Sequence, residues 1–276
     1  MTPRGSVLRG AVRVVVFLAF NAAMIGAFLL VRRPSPRLAD RLCQNWNRGA
    51  CRIAGLRVRT LGTPHGGPTL FVANHVSYLD IPALRSVADA RFVAKREVQG
   101  WPLFGLLARF DGSVFIGRTA ADLRTAGAAL RQQLAGGRSL VLFPEGTSSD
   151  GSRVLPFKSS LLEVLRGEDE TPEVTVQPVS LIYLRMRGGP LLDVETRPLF
   201  AWFGDMDLLP HIWRVFRLRG VEVVVSFREP LDPRAFDSRK ELAARAHWEV
   251  SAGLEEMWRA PLAPRQRVRR RRARAA

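Results

Sequence analysis

The chain has 276 residues, 47% of them hydrophobic and 24% charged, enough apolar material for one large domain or two small ones and too much for a disordered or fibrous protein. Its two cysteines, Cys43 and Cys51, match no metal-ligand spacing and cannot build a disulfide framework, which argues against a stapled secreted module or a cysteine-ligated zinc protein. The formal charge is +17, with eight arginines and no acid in residues 259–276, so the molecule favours anionic surroundings and nearly half of the excess sits in its tail.

Residues 14–31, VVVFLAFNAAMIGAFLLV, contain one strongly polar side chain, Asn21, and as a helix would extend about 27 Å. Arg32, Arg33 and Pro34 follow where a cleaved signal would place small residues, so 1–36 reads as a retained membrane anchor. The arginines after the segment (Arg32, Arg33, Arg37, Arg41, Arg48) outnumber those before it (Arg4, Arg9, Arg13), which predicts a cell inner membrane protein with its bulk on the cytoplasmic side. A buried or interfacial hairpin helix is the alternative topology. Residues 37–54 place Leu38, Leu42, Trp46 and Ile53 at near-helical spacing among arginines, an amphipathic helix suited to a headgroup surface or to a protein core.

From 55 to 259 short apolar or alternating runs bounded by turn formers predict strands at 56–61, 69–73, 91–94, 113–117, 139–143, 174–183, 191–196 and 221–228. Helical stretches fall at 80–88, 101–109, 120–135, 157–166 and 238–259. The alternation predicts an α/β domain, a mixed sheet flanked by helices, preceded by the N-terminal membrane-anchor helix. Residues 260–276 are basic and of low complexity, the composition of a disordered tail.

Three islands carry chemistry. The run 69–73 ends in Asn74-His75, and Asp80 follows five residues after the histidine. Such a pair can fix the imidazole tautomer for general-base work; equally, Asp80 can simply cap the helix that opens at Ile81 and Pro82. Ser77 lacks the glycines of a nucleophile elbow. The second island is Phe143-Pro144-Glu145-Gly146-Thr147, a Pro-Glu-Gly turn that presents a carboxylate at the carboxyl end of a strand, where open α/β sheets place ligands. Its plain alternative is a solvated turn. The third comprises Arg118 after the run 113–117 and Lys95 after 91–94, cations that suit an anionic substrate unless they are merely solvated.

Taken in order, the N-H-x-x-x-x-D block, the apolar strand ending in Arg118, the F-P-E-G-T block and the apolar run around Gln177-Pro178-Val179 resemble the glycerolipid acyltransferase family typified by lysophosphatidic acid acyltransferases, across residues 55–200. Ala94-Lys95-Arg96-Glu97, Gly100 through Gly105, and Leu155-Pro156-Phe157-Lys158 are similar to further segments of that family. The resemblance implies transfer of an acyl group from acyl-CoA or acyl-ACP to the hydroxyl of a lysolipid. His75 would act as base and Asp80 would orient it. Arg118, Glu145, Gly146, Thr147, Lys95 and Lys158 would hold the acceptor, with backbone amides near Gly146 as oxyanion donors. It implies no metal, no cofactor besides the thioester co-substrate, membrane lipids as partners and no specific nucleic acid. Two positions depart from the family: Ser148 stands where F-P-E-G-T-R-S has arginine, and Gln177 where an apolar residue is commoner. The expected acceptor is 1-acylglycerol-3-phosphate, giving phosphatidic acid, with lyso-ornithine lipid or another phosphate-free lysolipid as the alternative. Outside this class stand a catalytically dead, membrane-anchored polyanion-binding protein and a thioesterase that uses water in place of the lipid hydroxyl.

Overall fold

A computed structural model describes residues 5–101, 104–117, 120–165 and 174–259. Two helices come first, α1 (Val7–Val31) and α2 (Pro36–Ala54). The strands β1 (Leu56–Leu61), β2 (Thr69–Ala73), β3 (Ala90–Lys95), β4 (Val114–Ile116), β5 (Ser139–Leu142), β6 (Thr175–Met186) and β7 (Val221–Phe227) form one sheet in the order β1-β7-β6-β2-β5-β3-β4. From β6 to β4 every pairing is parallel, whereas β7 runs antiparallel to β6 and parallel to β1. The expected mixed sheet is therefore present, with β2 at its centre, and both β2 and β7 are buried along their whole length. Flanking it are α3 (Asp80–Val87), α4 (Phe104–Phe110), α5 (Ala120–Ala135), α6 (Leu208–Arg217) and α7 (Arg239–Arg259).

Three segments depart from the sequence expectation. Residues 191–196 make no strand beyond a single bridge from Leu191 to Arg185. Asp193 and Thr196 bond each other's backbone N–H groups through their side chains at 2.9 Å, which turns the chain into a tight helical turn at Arg197–Leu199. Ser159–Leu165 forms 3₁₀ turns in place of an α-helix, and just before it the Lys158 N–H is bound to the Pro144 carbonyl at 2.9 Å. Conversely, α6 has no counterpart in the sequence expectation; it buries His211, Val215 and Phe216 against the core. The expected tail, 260–276, lies outside the described residues.

Helix α1 is long and apolar enough to cross a membrane, yet it is also docked on the domain. Arg13 donates to the carbonyls of Phe216 at 3.2 Å and Leu218 at 2.8 Å, which satisfies the end of α6. Asn21, the polar exception in the apolar run, is buried and accepts from the Trp46 indole N–H at 3.0 Å. A Cβ on Gly49 would stand 2.3 Å from the Phe20 ring, so α1 and α2 approach where a side chain is missing. Helix α2 buries Ala39, Cys43, Trp46, Cys51 and Ala54 against protein, while Arg37, Arg41, Arg48 and Arg52 form its exposed stripe. Burial pushes both cysteine thiols up to about 12, which removes thiolate chemistry.

Arg85 on α3 is the largest fully buried side chain among the described residues. Its guanidinium bonds Asp111 beyond α4 at 3.0 Å and also reaches Asp89. Burial pushes the Asp111 carboxyl up to about 6, against the pull of Arg85. Arg85→Met leaves that carboxylate buried without its cation and is expected to cost about 3–5 kcal/mol. The loss should be smaller at pH 5 than at pH 8, because without Arg85 the Asp111 carboxyl titrates higher still and the acid form needs no partner. Thermal denaturation of the detergent-solubilised protein at the two pH values checks both the size and the sign.

Candidate active site

The parallel strands β2, β5, β3 and β4 lie side by side, with Val72 opposite Leu142, Phe92 opposite Val141, and Lys95 opposite Ile116. Their carboxyl ends therefore bring the three sequence islands to one edge of the sheet: His75 after β2, Glu145 after β5 and Lys95 at the end of β3. Arg118 lies outside the described residues, just beyond β4.

His75 Nδ1 is 2.8 Å from Asp80 Oδ2. An ionised carboxylate only accepts, so Nδ1 carries the proton and Nε2 keeps the lone pair a base requires. The same Asp80 oxygen accepts the backbone N–H groups of Val76 at 2.7 Å and Ser77 at 2.9 Å, and Oδ1 accepts the Tyr183 hydroxyl at 2.6 Å. Asp80 is fully buried at the start of α3 and makes no cap bond to that helix. Of its two possible roles, capping is thus absent and the imidazole pair is present. The His75 ring lies on Phe143 with 4.1 Å between centroids at 17°, and its side chain stays 21% exposed, enough for a substrate to reach it. Tyr183 escapes sequence reasoning, since a tyrosine in an apolar strand carries no signal of its register with Asp80.

Glu145 is 2% exposed. One oxygen accepts the His75 backbone N–H at 3.0 Å, and the other is also buried. Ser149 completes the clamp, its N–H donating to the His75 carbonyl at 2.9 Å. The carboxylate expected to hold the acceptor thus faces protein, and its visible work is to fix the histidine loop. Gly146 has a left-handed φ of +69°, and a Cβ there would come 2.8 Å from Lys158 Nζ. Its N–H closes the turn on the Phe143 carbonyl at 3.1 Å, so that amide is not available as the oxyanion donor anticipated near this glycine. Thr147, Lys95 and Lys158 are exposed around the site. Gln177 belongs elsewhere: it is buried and bonds His65, Thr63 and Arg228 backbone groups, a brace between the loops that follow β1 and β7. Among the described residues no group of three or more His, Cys, Asp or Glu side chains could hold a metal.

Burial pushes the Glu145 carboxyl up to about 8, outweighing the N–H groups of His75 and Leu155. A carboxyl whose native value lies above its unfolded one stabilises the fold most below pH 4.5, and that contribution drains away as pH rises towards 8. Glu145→Gln keeps an acceptor for the His75 N–H and no titration, so the melting-temperature difference between wild type and variant should shift in the variant's favour with rising pH. The glutamine variant should retain most of its activity. Glu145→Ala, which frees the histidine loop, is expected to lose on the order of 10–100-fold in kcat, measured by labelled acyl transfer.

The acyltransferase family model matches residues 56–182, which contain the whole arrangement apart from Tyr183. The chain is 44% identical over 209 residues to the lyso-ornithine lipid O-acyltransferase of Rhizobium meliloti, covering 73% of this chain and 70% of that protein. Against the protein of the same name from Brucella abortus identity is 39% over 220 residues, covering 78% and 82%. With the 1-acyl-sn-glycerol-3-phosphate acyltransferase of Neisseria gonorrhoeae it is 32% over 174 residues, covering 63% and 64%. The crystal structure of the 1-acyl-sn-glycerophosphate (LPA) acyltransferase PlsC of Thermotoga maritima shares the fold, with a TM-score of 0.67 at 24% identity over 94% of this chain and 96% of that one. Agreement at this level over most of both chains, on top of the ordered sequence blocks, means that the chain belongs to the glycerolipid acyltransferase family and is an O-acyltransferase.

Proposed function

We propose that the enzyme transfers an acyl group from an acyl-CoA or acyl-ACP thioester to the free hydroxyl of lyso-ornithine lipid. The observation that carries the chemistry is the Asp80-oriented His75 with Nε2 directed away from its carboxylate. Nε2 would take the hydroxyl proton as the oxygen attacks the thioester carbonyl; collapse of the tetrahedral intermediate breaks the C–S bond, and the imidazolium returns the proton to the departing sulfur. Asp80 stabilises the transient imidazolium, and Tyr183 together with two backbone N–H groups fixes the orientation of the buried Asp80 carboxylate.

The acceptor assignment reverses the order expected from sequence, where 1-acylglycerol-3-phosphate stood first. Two observations support it: the names carried by the relatives at 44% and 39% identity, and Ser148 in the position of the family's arginine. An ornithine headgroup carries a carboxylate and an ammonium and needs no guanidinium fork for phosphate. The phosphate acceptor remains the second reading because Lys158 reaches over Gly146 and Lys95 stands exposed at the neighbouring strand end. Membrane lipids as surroundings, the inner membrane and the cytoplasmic face belong to the same proposal, supported by the apolar α1 and the arginines that follow it.

A panel of lysolipid acceptors offered to the pure enzyme with one labelled acyl thioester is the test. Preference for lyso-ornithine lipid, with Ser148→Arg shifting usage towards 1-acylglycerol-3-phosphate, is the expected result. A wild type that prefers 1-acylglycerol-3-phosphate overturns the acceptor assignment, and release of free fatty acid regardless of acceptor overturns transfer itself.

A further inference from the structure

A concave site lies away from His75. Arg9 on α1, Arg57 at the start of β1, Arg185 and Arg187 at the end of β6, and Arg219 just before β7 surround a cavity of about 690 Å³ whose one acidic wall residue is Glu222. That acid is already engaged, 2.7 Å from Arg59 and 3.7 Å from Arg185. Among the described residues, five arginines thus line one space against a single carboxylate that is itself shared. Because β1 and β7 run opposite to the other strands, with Leu56 opposite Val221 and Val221 opposite Met186, the basin opens at the same end of the sheet as His75. It shares no residue with the catalytic set.

We propose that this basin binds phosphate on an amphiphile or nucleotide. Guanidinium groups arranged around a cavity match the tetrahedral, multiply accepting phosphate group, and a bound anion relieves the mutual repulsion that Glu222 leaves uncompensated. The main chain holds the wall in place. Arg9 is anchored by the Arg217 carbonyl at 3.0 Å, and the Arg187 N–H by the Gly220 carbonyl at 2.9 Å. Gly188, also on the wall, adopts φ +72° and leaves open space where a side chain would stand. Two sources fit the chemistry. The first two turns of α1 expose Val7, Leu8 and Val12 beside Arg9, so a lipid lying along that face would set its headgroup phosphate in the basin. The nucleotide phosphate of an acyl-CoA donor is the other.

The test uses the full-length enzyme and the double variant Arg187→Lys/Arg219→Lys, which preserves charge but removes the planar fork. In the lipid arm, flotation with phosphatidylcholine vesicles doped with phosphatidylglycerol is compared with flotation on pure phosphatidylcholine. In the nucleotide arm, KM for acyl-CoA is compared with KM for the same thioester of dephospho-CoA. A loss of about tenfold or more confined to the doped vesicles supports the site and names a lipid headgroup. A comparable rise in KM confined to acyl-CoA supports it and names the donor. Turnover at saturating substrate in detergent should not change in either case. If the lysine variant matches wild type in both arms, while Arg187→Ala/Arg219→Ala loses vesicle binding, the basin is diffuse surface charge and the proposal falls. It falls as well if neither double variant differs from wild type in either arm.

Discussion

Replacing His75 by alanine is expected to lower acyl transfer by about 10²–10⁴ while the protein stays folded. A lipid hydroxyl titrates far above neutrality, so attack on a thioester at pH 7 depends on a base positioned at the oxygen. The fold should survive because the loop is held through the residue's main chain: Glu145 accepts from its N–H and Ser149 donates to its carbonyl, and both bonds persist with alanine. Asp80 also keeps three of its four donors. The cost to stability is then confined to the imidazole bond and the stacking on Phe143. Labelled acyl transfer by the purified variant, alongside its thermal melt, checks the expectation. A folded variant that keeps more than about a tenth of the wild-type rate removes His75 from the role of base.

Much of this site is legible in the amino-acid sequence. Strands such as β2 and β5 are short apolar runs ended by turn formers, and their carboxyl ends carry the chemistry-bearing residues, so order along the chain already implies a shared edge. What the pattern does not supply is contact. Glu145 reads as a carboxylate on a turn, and only the packing of that turn under the His75 loop reveals that it faces inward. Tyr183 lies more than a hundred residues from Asp80 and looks like any other member of a buried strand. Gln177, a departure from the family pattern near the motifs, serves a brace between loops because β6 enters the sheet well before it reaches the level of His75. Helix α1 illustrates a deeper ambiguity: an apolar run satisfies both a bilayer and a protein surface. Its docking rests on three particulars, the carbonyl bonds of Arg13, the Asn21–Trp46 bond and the missing side chain at Gly49, none of which alters the hydropathy pattern.

Asp80→Asn separates the electrostatic role of this residue from its structural one. The amide oxygen can take the place of Oδ2 and accept from His75 Nδ1, Val76 N–H and Ser77 N–H, while the amide nitrogen turns to Tyr183, whose hydroxyl oxygen can accept. All four contacts therefore survive, and the loop should keep its shape. The negative charge does not survive, so the imidazolium formed during attack loses its stabilising partner, and kcat is expected to fall by about 10²-fold or more with KM little changed. A purely structural Asp80 predicts the opposite, near-normal turnover in a variant that preserves every bond. Tyr183→Phe alone removes one donor from a carboxylate that has three others, and should cost less than about tenfold. Each variant leaves one buried group unpaired, the Tyr183 hydroxyl proton with asparagine, Asp80 Oδ1 with phenylalanine and the amide nitrogen in the pair, at about 1–3 kcal/mol each, so the double variant should lose less than the sum of the two single losses. The double-mutant cycle thus carries two independent signatures: a turnover defect set by charge in the asparagine variant, and a melting-temperature coupling set by the hydrogen bond in the pair. Additive melting temperatures would mean that the asparagine side chain has found another orientation. Its amide nitrogen would then oppose the backbone N–H groups, and the turnover defect would have to be assigned to a distorted loop.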